Sequence, residues 1–340
     1  MIRRMLIALT LLITLTTTAW CEAAMEPEGA LPQTIVITAG GDCTIGCLQQ
    51  QKKSKNGFTA AVKKYGYDWF FSELTALTAQ DDMTLVNLEG PFTQSKDKQP
   101  KTYNFKAPAE YAEILTLGSV EAVNIANNHI HDYGEQGALD TITALDGRGI
   151  VYSGAGELGV YEVKGVKIGM TGYSYPFKNG KADISADVAA LRQMGCQIVI
   201  ASFHWGQEYD YTQNKEQKKI GRAAIDAGAD VVIGHHPHVV QGIERYKGRY
   251  ILYSLGNLVF GGNTDPKDRD AYMARLRFTV DETGSHPPEL EIVPVRLTKK
   301  KVNTDYRPII AEGKQRNKIL KKILKNSKNM EDYQDPQGGE

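Results

Sequence analysis

Neither sign of charge is in excess: Lys and Arg together number 40, as do Asp and Glu, for a formal net charge of +0. With no net field to gather polyanions, nothing in the composition suggests a nucleic-acid partner and none is expected, and any anionic ligand must be held locally. Cysteine is scarce too, at four in 340 residues. With Cys21 in an N-terminal leader set aside, Cys43, Cys47 and Cys196 are odd in number and cannot form a closed disulfide framework. Cys43 and Cys47 can pair with each other, or all three can be small buried thiols beside strand ends. No internal repeat stands out.

Long apolar runs are missing except at the start. Arg3 and Arg4 form a basic segment, Leu6 to Leu15 an apolar one, and small residues follow at Ala19, Ala23 and Ala24. The run is shorter than the ~20 apolar residues a spanning helix usually needs, so residues 1–24 read as a signal sequence, with an uncleaved membrane anchor as the alternative. Cys21 stands where a lipoprotein cysteine would, although Trp20 before it is a poor fit. The expected location is therefore the cell envelope or the exterior.

The rest is ordinary globular material, 41% hydrophobic and 24% charged. From Gln33 onward, short β-branched runs (34–39, 83–87, 122–125, 197–203, 231–233) alternate with helical patterns (67–79, 109–117, 136–146, 215–227), which predicts stacked βα units. Turns at Lys164-Gly165 and Lys247-Gly248 sit inside two predicted hairpins, and strands follow over 272–280 and 290–297. The expected fold class is α/β: two sheets face to face with helices outside, over residues 33–300. Residues 301–340 are expected to form a docked Lys-rich helix, with Ile319, Leu320, Ile323 and Leu324 on one face, followed by a frayed polar tail from Asn329.

Histidine is rare as well, yet six of the seven (His129, His131, His204, His235, His236, His238) fall in turns at predicted strand ends. Asp42 and Glu89 occupy two further strand ends. Carboxyl ends of neighbouring strands aim short polar side chains at one crevice, and mixed carboxylate, amide and imidazole donors suit Mn, Fe or Zn. Taken singly, Asp42 and Glu89 read as turn residues and His204 as a core histidine. Three imidazoles crowded at 235–238 are harder to explain structurally, because they repel when charged and hydrate poorly when buried. In Asn128-His129, the amide can ligate while the imidazole acts as acid, with Asp132 placed to orient the ring. His131 reads as a turn residue.

In order along the chain, Gly41-Asp42, Asn87-Leu88-Glu89-Gly90, Asn127-Asn128-His129 with Asp132-Tyr133-Gly134, His204-Trp205-Gly206 with Glu208-Tyr209, His236-Pro237-His238 and Tyr253-Ser254-Leu255-Gly256-Asn257 resemble the CapA (PgsA-like) poly-γ-glutamate capsule synthesis family. The likeness runs from about Thr34 to Val295. It implies a branch of the calcineurin-like metallophosphoesterases, with a four-layer α/β/β/α sandwich and one or two divalent ions. It further implies Asp42 and His238 on one ion, Asn128, His204 and His236 on the other, Glu89 bridging, and His129 as the non-ligand catalytic imidazole. Glu208 and Asn257 are carried over as substrate contacts. The phosphoesterase pattern has a histidine where this chain has Thr44, which leaves one ion a ligand short. Two functions follow as expectations: an exported metal-dependent hydrolase acting on an anionic envelope polymer or its precursor, or a non-enzymatic accessory that binds polymer or scaffolds a membrane synthase complex.

Overall fold

The computed structural model describes residues 31–177 and 183–336. The expected leader, residues 1–24 with Cys21, lies outside them.

Two sheets form the centre. The larger runs, in spatial order, through Ile309–Ile310, Glu289–Arg296, Asp270–Asp281, Gln33–Thr44, Met83–Leu88, Ala122–Asn124 and Val151–Ser153. Asn257–Phe260 adds a parallel strand beside Gln33–Thr44. The smaller sheet is ordered Ile243–Tyr246, Arg249–Leu252, Val231–His235, Ile198–His204, Val166–Ser174 and Gly159–Val163. Side chains alternate across a strand, so each sheet has an inner and an outer face. Ile35, Ile37 and Leu85 of one sheet share a buried cluster with Ile168, Ile200 and Ile233 of the other. The outer face of the larger sheet packs under Phe58, Phe70, Ile114 and Leu145, and that of the smaller under Val188, Leu191, Ile220 and Ala224. The order of layers is α/β/β/α.

The helix Lys215–Asp226 shows how local sequence sets an element. Asn214 accepts from the Gln217 backbone while the Gln217 side chain accepts from the Asn214 N–H, a capping box that starts the helix. Elsewhere expectation and structure part. The helix expected over 67–79 is broken into Asp68–Phe70 and Thr75–Thr78. Ser72, Thr75 and Thr78 bond back to the carbonyls of Trp69, Phe71 and Leu74, which competes with a continuous helix. Helix Phe58–Tyr65 and strand Asn257–Phe260 were not expected. Cys43, Cys47 and Cys196 are free, buried thiols, so the Cys43–Cys47 pairing is not formed. Nor is the described part of the tail frayed: Met330 is buried and Ile292 N–H donates to the Tyr333 hydroxyl at 3.0 Å, because these two side chains cover an edge of the inner core.

The first strand passes its expected end at Ala39 and runs to Thr44, which puts Asp42 on the strand itself. The pairing register shifts between Ala39 and Asp42, and the Asp42 N–H donates to Gly256 O at 2.9 Å. A Cβ on Gly41 would stand 2.0 Å from that same carbonyl oxygen. Gly41→Ala is therefore expected to force the two strands apart and lower stability by roughly 2–3 kcal/mol, read as a fall in melting temperature.

Candidate metal centre

Strand register lines the polar residues up. In the larger sheet Asp42 is opposite Asn257 on one side and Asn87 on the other, and Asn87 is in turn opposite Asn124. In the smaller sheet His204 lies between Ser174 and His235. Apart from Asn257, which opens its strand, each row sits at or near the carboxyl ends of its strands, so the two rows close the inner core there.

The two rows meet around Glu89. Its Oε1 is 3.6 Å from His238 Nε2, 3.7 Å from His204 Nε2 and 3.9 Å from His129 Nε2, while Oε2 accepts from the Thr44 hydroxyl at 3.4 Å. Asp42 Oδ2 is 3.3 Å from His238 Nδ1 and accepts from the His236 N–H at 3.2 Å. Asn128 Oδ1 lies 2.8 Å from His204 Nε2, and the His204 and His236 rings are 4.6 Å apart. Asp42, Glu89, Asn128, His204, His236 and His238 are thus brought into one site. His236 and His238 reach it from a turn in which both adopt positive φ, 96° and 56°. Such backbone is strained for residues other than glycine and is retained where the surroundings over-determine it.

His129 comes from the loop after Ala122–Asn124 and is buried. Its Nδ1 is 2.8 Å from Asp132 Oδ2, which also accepts from the Phe105 N–H at 2.6 Å. The Lys101 ammonium pairs with Asp132 and donates to Asn128 O at 2.6 Å. With Nδ1 committed to Asp132, Nε2 is the nitrogen that faces Glu89.

Among the other residues singled out, Glu208 is exposed. Asn257 is buried, with Oδ1 2.8 Å from His238 Nδ1 and Nδ2 donating to His238 O at 3.2 Å, so its amide is used in holding His238. His131 lies 3.6 Å from Glu135. Three supporting residues carried no assigned role in the sequence. Asn87 donates to Asp42 Oδ1 at 2.8 Å, Asn124 donates to Asn87 Oδ1 at 2.9 Å, and Lys101 braces Asp132. A polar residue closing each apolar strand was the available signal for the two amides; nothing local marks Lys101.

Electrostatics separates the titrating groups. Burial alone would raise the Asp42 carboxyl, but the hydrogen bond and charge of His238, with His235 and His204 nearby, hold it well below the usual range. Burial pushes Glu89 up to about 7 against the attraction of His238. Burial, and then His236, pull His204 well below its ordinary value; burial takes His235 to about 4 and lowers His236 as well. His238 is opposite: burial opposes its charge, yet Glu89 and Asp42 carry it up to about 10. His204 and His236 are thus neutral imidazoles beside two carboxylates, a transition-metal donor set that His238 would join by giving up its proton to the ion.

The buried atoms fit an ion. Glu89 Oε1, both His235 ring nitrogens and His236 Nδ1 lack hydrogen-bond partners. His238 Nε2 and His204 Nε2, 3.6 and 3.7 Å from Glu89 Oε1, are too distant to bond it directly, yet their spacing suits donors sharing an ion through bonds of ~2 Å. Donor atoms of Glu89, His236 and His238 all lie within 4.8 Å of one another.

The family described as "Bacterial capsule synthesis protein PGA_cap" matches residues 36–262, which carry every one of these groups. The chain belongs to that family. Its relatives include "Capsule biosynthesis protein CapA" of Bacillus anthracis, 30% identical over 266 residues, covering 69% of this chain and 63% of the relative. "PGA biosynthesis protein CapA" of Bacillus subtilis is 28% identical over 289 residues, 78% of this chain and 74% of that one. A "Probable polyglutamine synthesis accessory protein" of Mycobacterium tuberculosis is 27% identical over 336 residues, 79% and 86% of the two chains. The match therefore spans less than two thirds of the Bacillus anthracis relative.

Proposed function

We propose that this PGA_cap family member is an exported, metal-dependent hydrolase of the phosphoester type, acting on an anionic envelope polymer of the poly-γ-glutamate kind or its precursor. One observation carries the reading: a buried imidazole, His129, is held through Nδ1 by the buried carboxylate of Asp132 and turns its other nitrogen to the centre of the site, 3.9 Å from Glu89 Oε1. A purely structural cluster has no use for such a group.

Asp42, Glu89, Asn128, His204, His236 and His238 would hold one or two divalent ions, Mn, Fe or Zn by the donor chemistry. A bound ion would supply Lewis-acid polarisation of a phosphoryl or acyl centre and lower the pKa of water. The protein's own part is proton handling: Asp132 holds the His129 ring through Nδ1, Lys101 pairs with Asp132, and a proton taken up on Nε2 from solvent would pass from there to the leaving group. Asn87 and Asn257 keep Asp42 and His238 aligned. Thr44 bonds Glu89 where the phosphoesterase pattern has a ligand. That contact, with the accessory designation of the mycobacterial relative, favours a second reading: a non-enzymatic partner in a membrane synthase complex.

Metal uptake and turnover decide between the two. Protein prepared without chelator is expected to carry a divalent ion and cleave a generic phosphodiester such as bis(4-nitrophenyl) phosphate. A metal-bearing chain with no turnover would favour the accessory. The apoprotein's affinity for metal should weaken as pH falls through about 7, because Glu89 gains a proton there and the ion must displace it. Titration calorimetry between pH 6 and about 8 checks the sign.

A further inference from the structure

Tyr209 is the odd residue at the edge of this site. It has φ of 62°, a left-handed conformation that a bulky side chain adopts only under constraint. The constraint is visible on both sides of it. Its N–H donates to Pro237 O at 2.8 Å, inside the His236–His238 turn, and the next carbonyl, Asp210 O, accepts from the Gln241 side chain at 2.8 Å. Holding the backbone this way does not bury the ring: Tyr209 is 56% exposed, and its hydroxyl has no hydrogen-bond partner among the described residues. Partial burial, and then the charges of Glu208, Tyr103 and Glu89, raise the pKa of its hydroxyl. Tyr103, also without a buried place, is 59% exposed. The backbone bonds explain the conformation but call for no aromatic side chain, since any residue at 209 makes them; an exposed ring beside a buried cluster of metal-type ligands is left without a packing role. Backbone strain of this kind collects at ligand clamps.

We infer that Tyr209, with Tyr103 near it, is a substrate-positioning residue whose ring stacks on a flat group flanking the scissile phosphoryl. The inference rests on the phosphoester reading above and extends it to the substrate's shape. An exposed tyrosine ring offers a large rigid face at little cost in rotamer freedom, and face-to-face contact selects planar groups over alkyl ones. The pinned backbone then serves to fix where that face points relative to Glu89 and His129. Because the Tyr209 N–H is tied to Pro237, the Tyr209 backbone and the His236–His238 turn hold one spacing.

Two non-hydrolysable probes separate ring from phosphoryl recognition without requiring turnover: phenylphosphonate and methylphosphonate, titrated calorimetrically into the metal-loaded full chain. Wild type should prefer phenylphosphonate by roughly three- to tenfold, the range expected for one aromatic contact. Tyr209→Ala and Tyr209→Gly should abolish the preference and leave methylphosphonate affinity unchanged, while Tyr209→Phe keeps the preference. Tyr209→Gly should also melt no lower than wild type, and about 1–2 °C higher if relief of the left-handed strain dominates, since glycine accepts this conformation freely. A merely structural tyrosine gives the reverse pattern, with lowered melting temperature and an unaltered ratio of the two affinities. No ring preference in wild type, or a preference that survives Tyr209→Gly, overturns the inference. Failure to bind methylphosphonate sinks the phosphoester reading itself, whereas binding without ring preference sinks this inference alone.

Discussion

His129→Ala is expected to fold, to keep its metal, and to lose about 10²- to 10⁴-fold in phosphodiester turnover, the usual contribution of a positioned acid or base. The geometry makes the variant a clean one. His129 Nδ1 bonds Asp132 and Nε2 stands 3.9 Å from Glu89 Oε1, so the six proposed ligands retain their own contacts when the ring is removed. The ring also packs against Phe105, with centroids 4.6 Å apart, and its removal leaves Asp132 paired with Lys101 and the Phe105 N–H. Metal analysis and thermal melting establish that the protein is intact, and turnover then reads the proton-transfer role alone. In cells, His129→Ala at normal protein levels should fail to restore polymer output to a deletion strain. Full complementation would assign that output to the accessory reading instead.

His238→Ala should do the opposite, with a large effect on metal content and stability. The ring lies between two buried carboxylates, with Nδ1 3.3 Å from Asp42 Oδ2 and Nε2 3.6 Å from Glu89 Oε1. In the metal-free protein its raised pKa makes it the cation that both acids face. Deleting it leaves an uncompensated buried carboxylate, a change that costs about 3–5 kcal/mol when a buried pair is broken and lowers the melting temperature on the order of 5–10 °C. Added divalent ion should recover part of that loss by mass action, though at weaker affinity than wild type. A variant that melts with the wild type and binds metal equally would remove His238 from the ligand set.

The sequence alone determined the layered α/β plan, because β-branched runs of strand length and helical periodicities are local properties of the chain. It also named the groups that converge: Asp42, Glu89, Asn128, His204, His236 and His238 each close an apolar strand or follow it within a turn, although these strands lie in two sheets, whose packing brings the two sets of strand ends together. What it left open was decided by contacts between distant segments. Asn257–Phe260 becomes a strand because Gln33–Thr44 offers it an edge, and Met330 and Tyr333 settle because the inner core has a side to cover. Asn87 was indistinguishable from any strand-end amide until register set it beside Asp42 and His204. Lys101 lies 31 residues before Asp132 in a polar loop, where nothing short-range marks it as that residue's counter-ion. Tyr209 looked like one more aromatic in a motif; its left-handed backbone exists only because Pro237, 28 residues on, accepts its N–H. Periodicity and chemical type are written residue by residue, whereas pairing partners, burial and strain are properties of the packed chain, and those decided which polar groups surround Glu89.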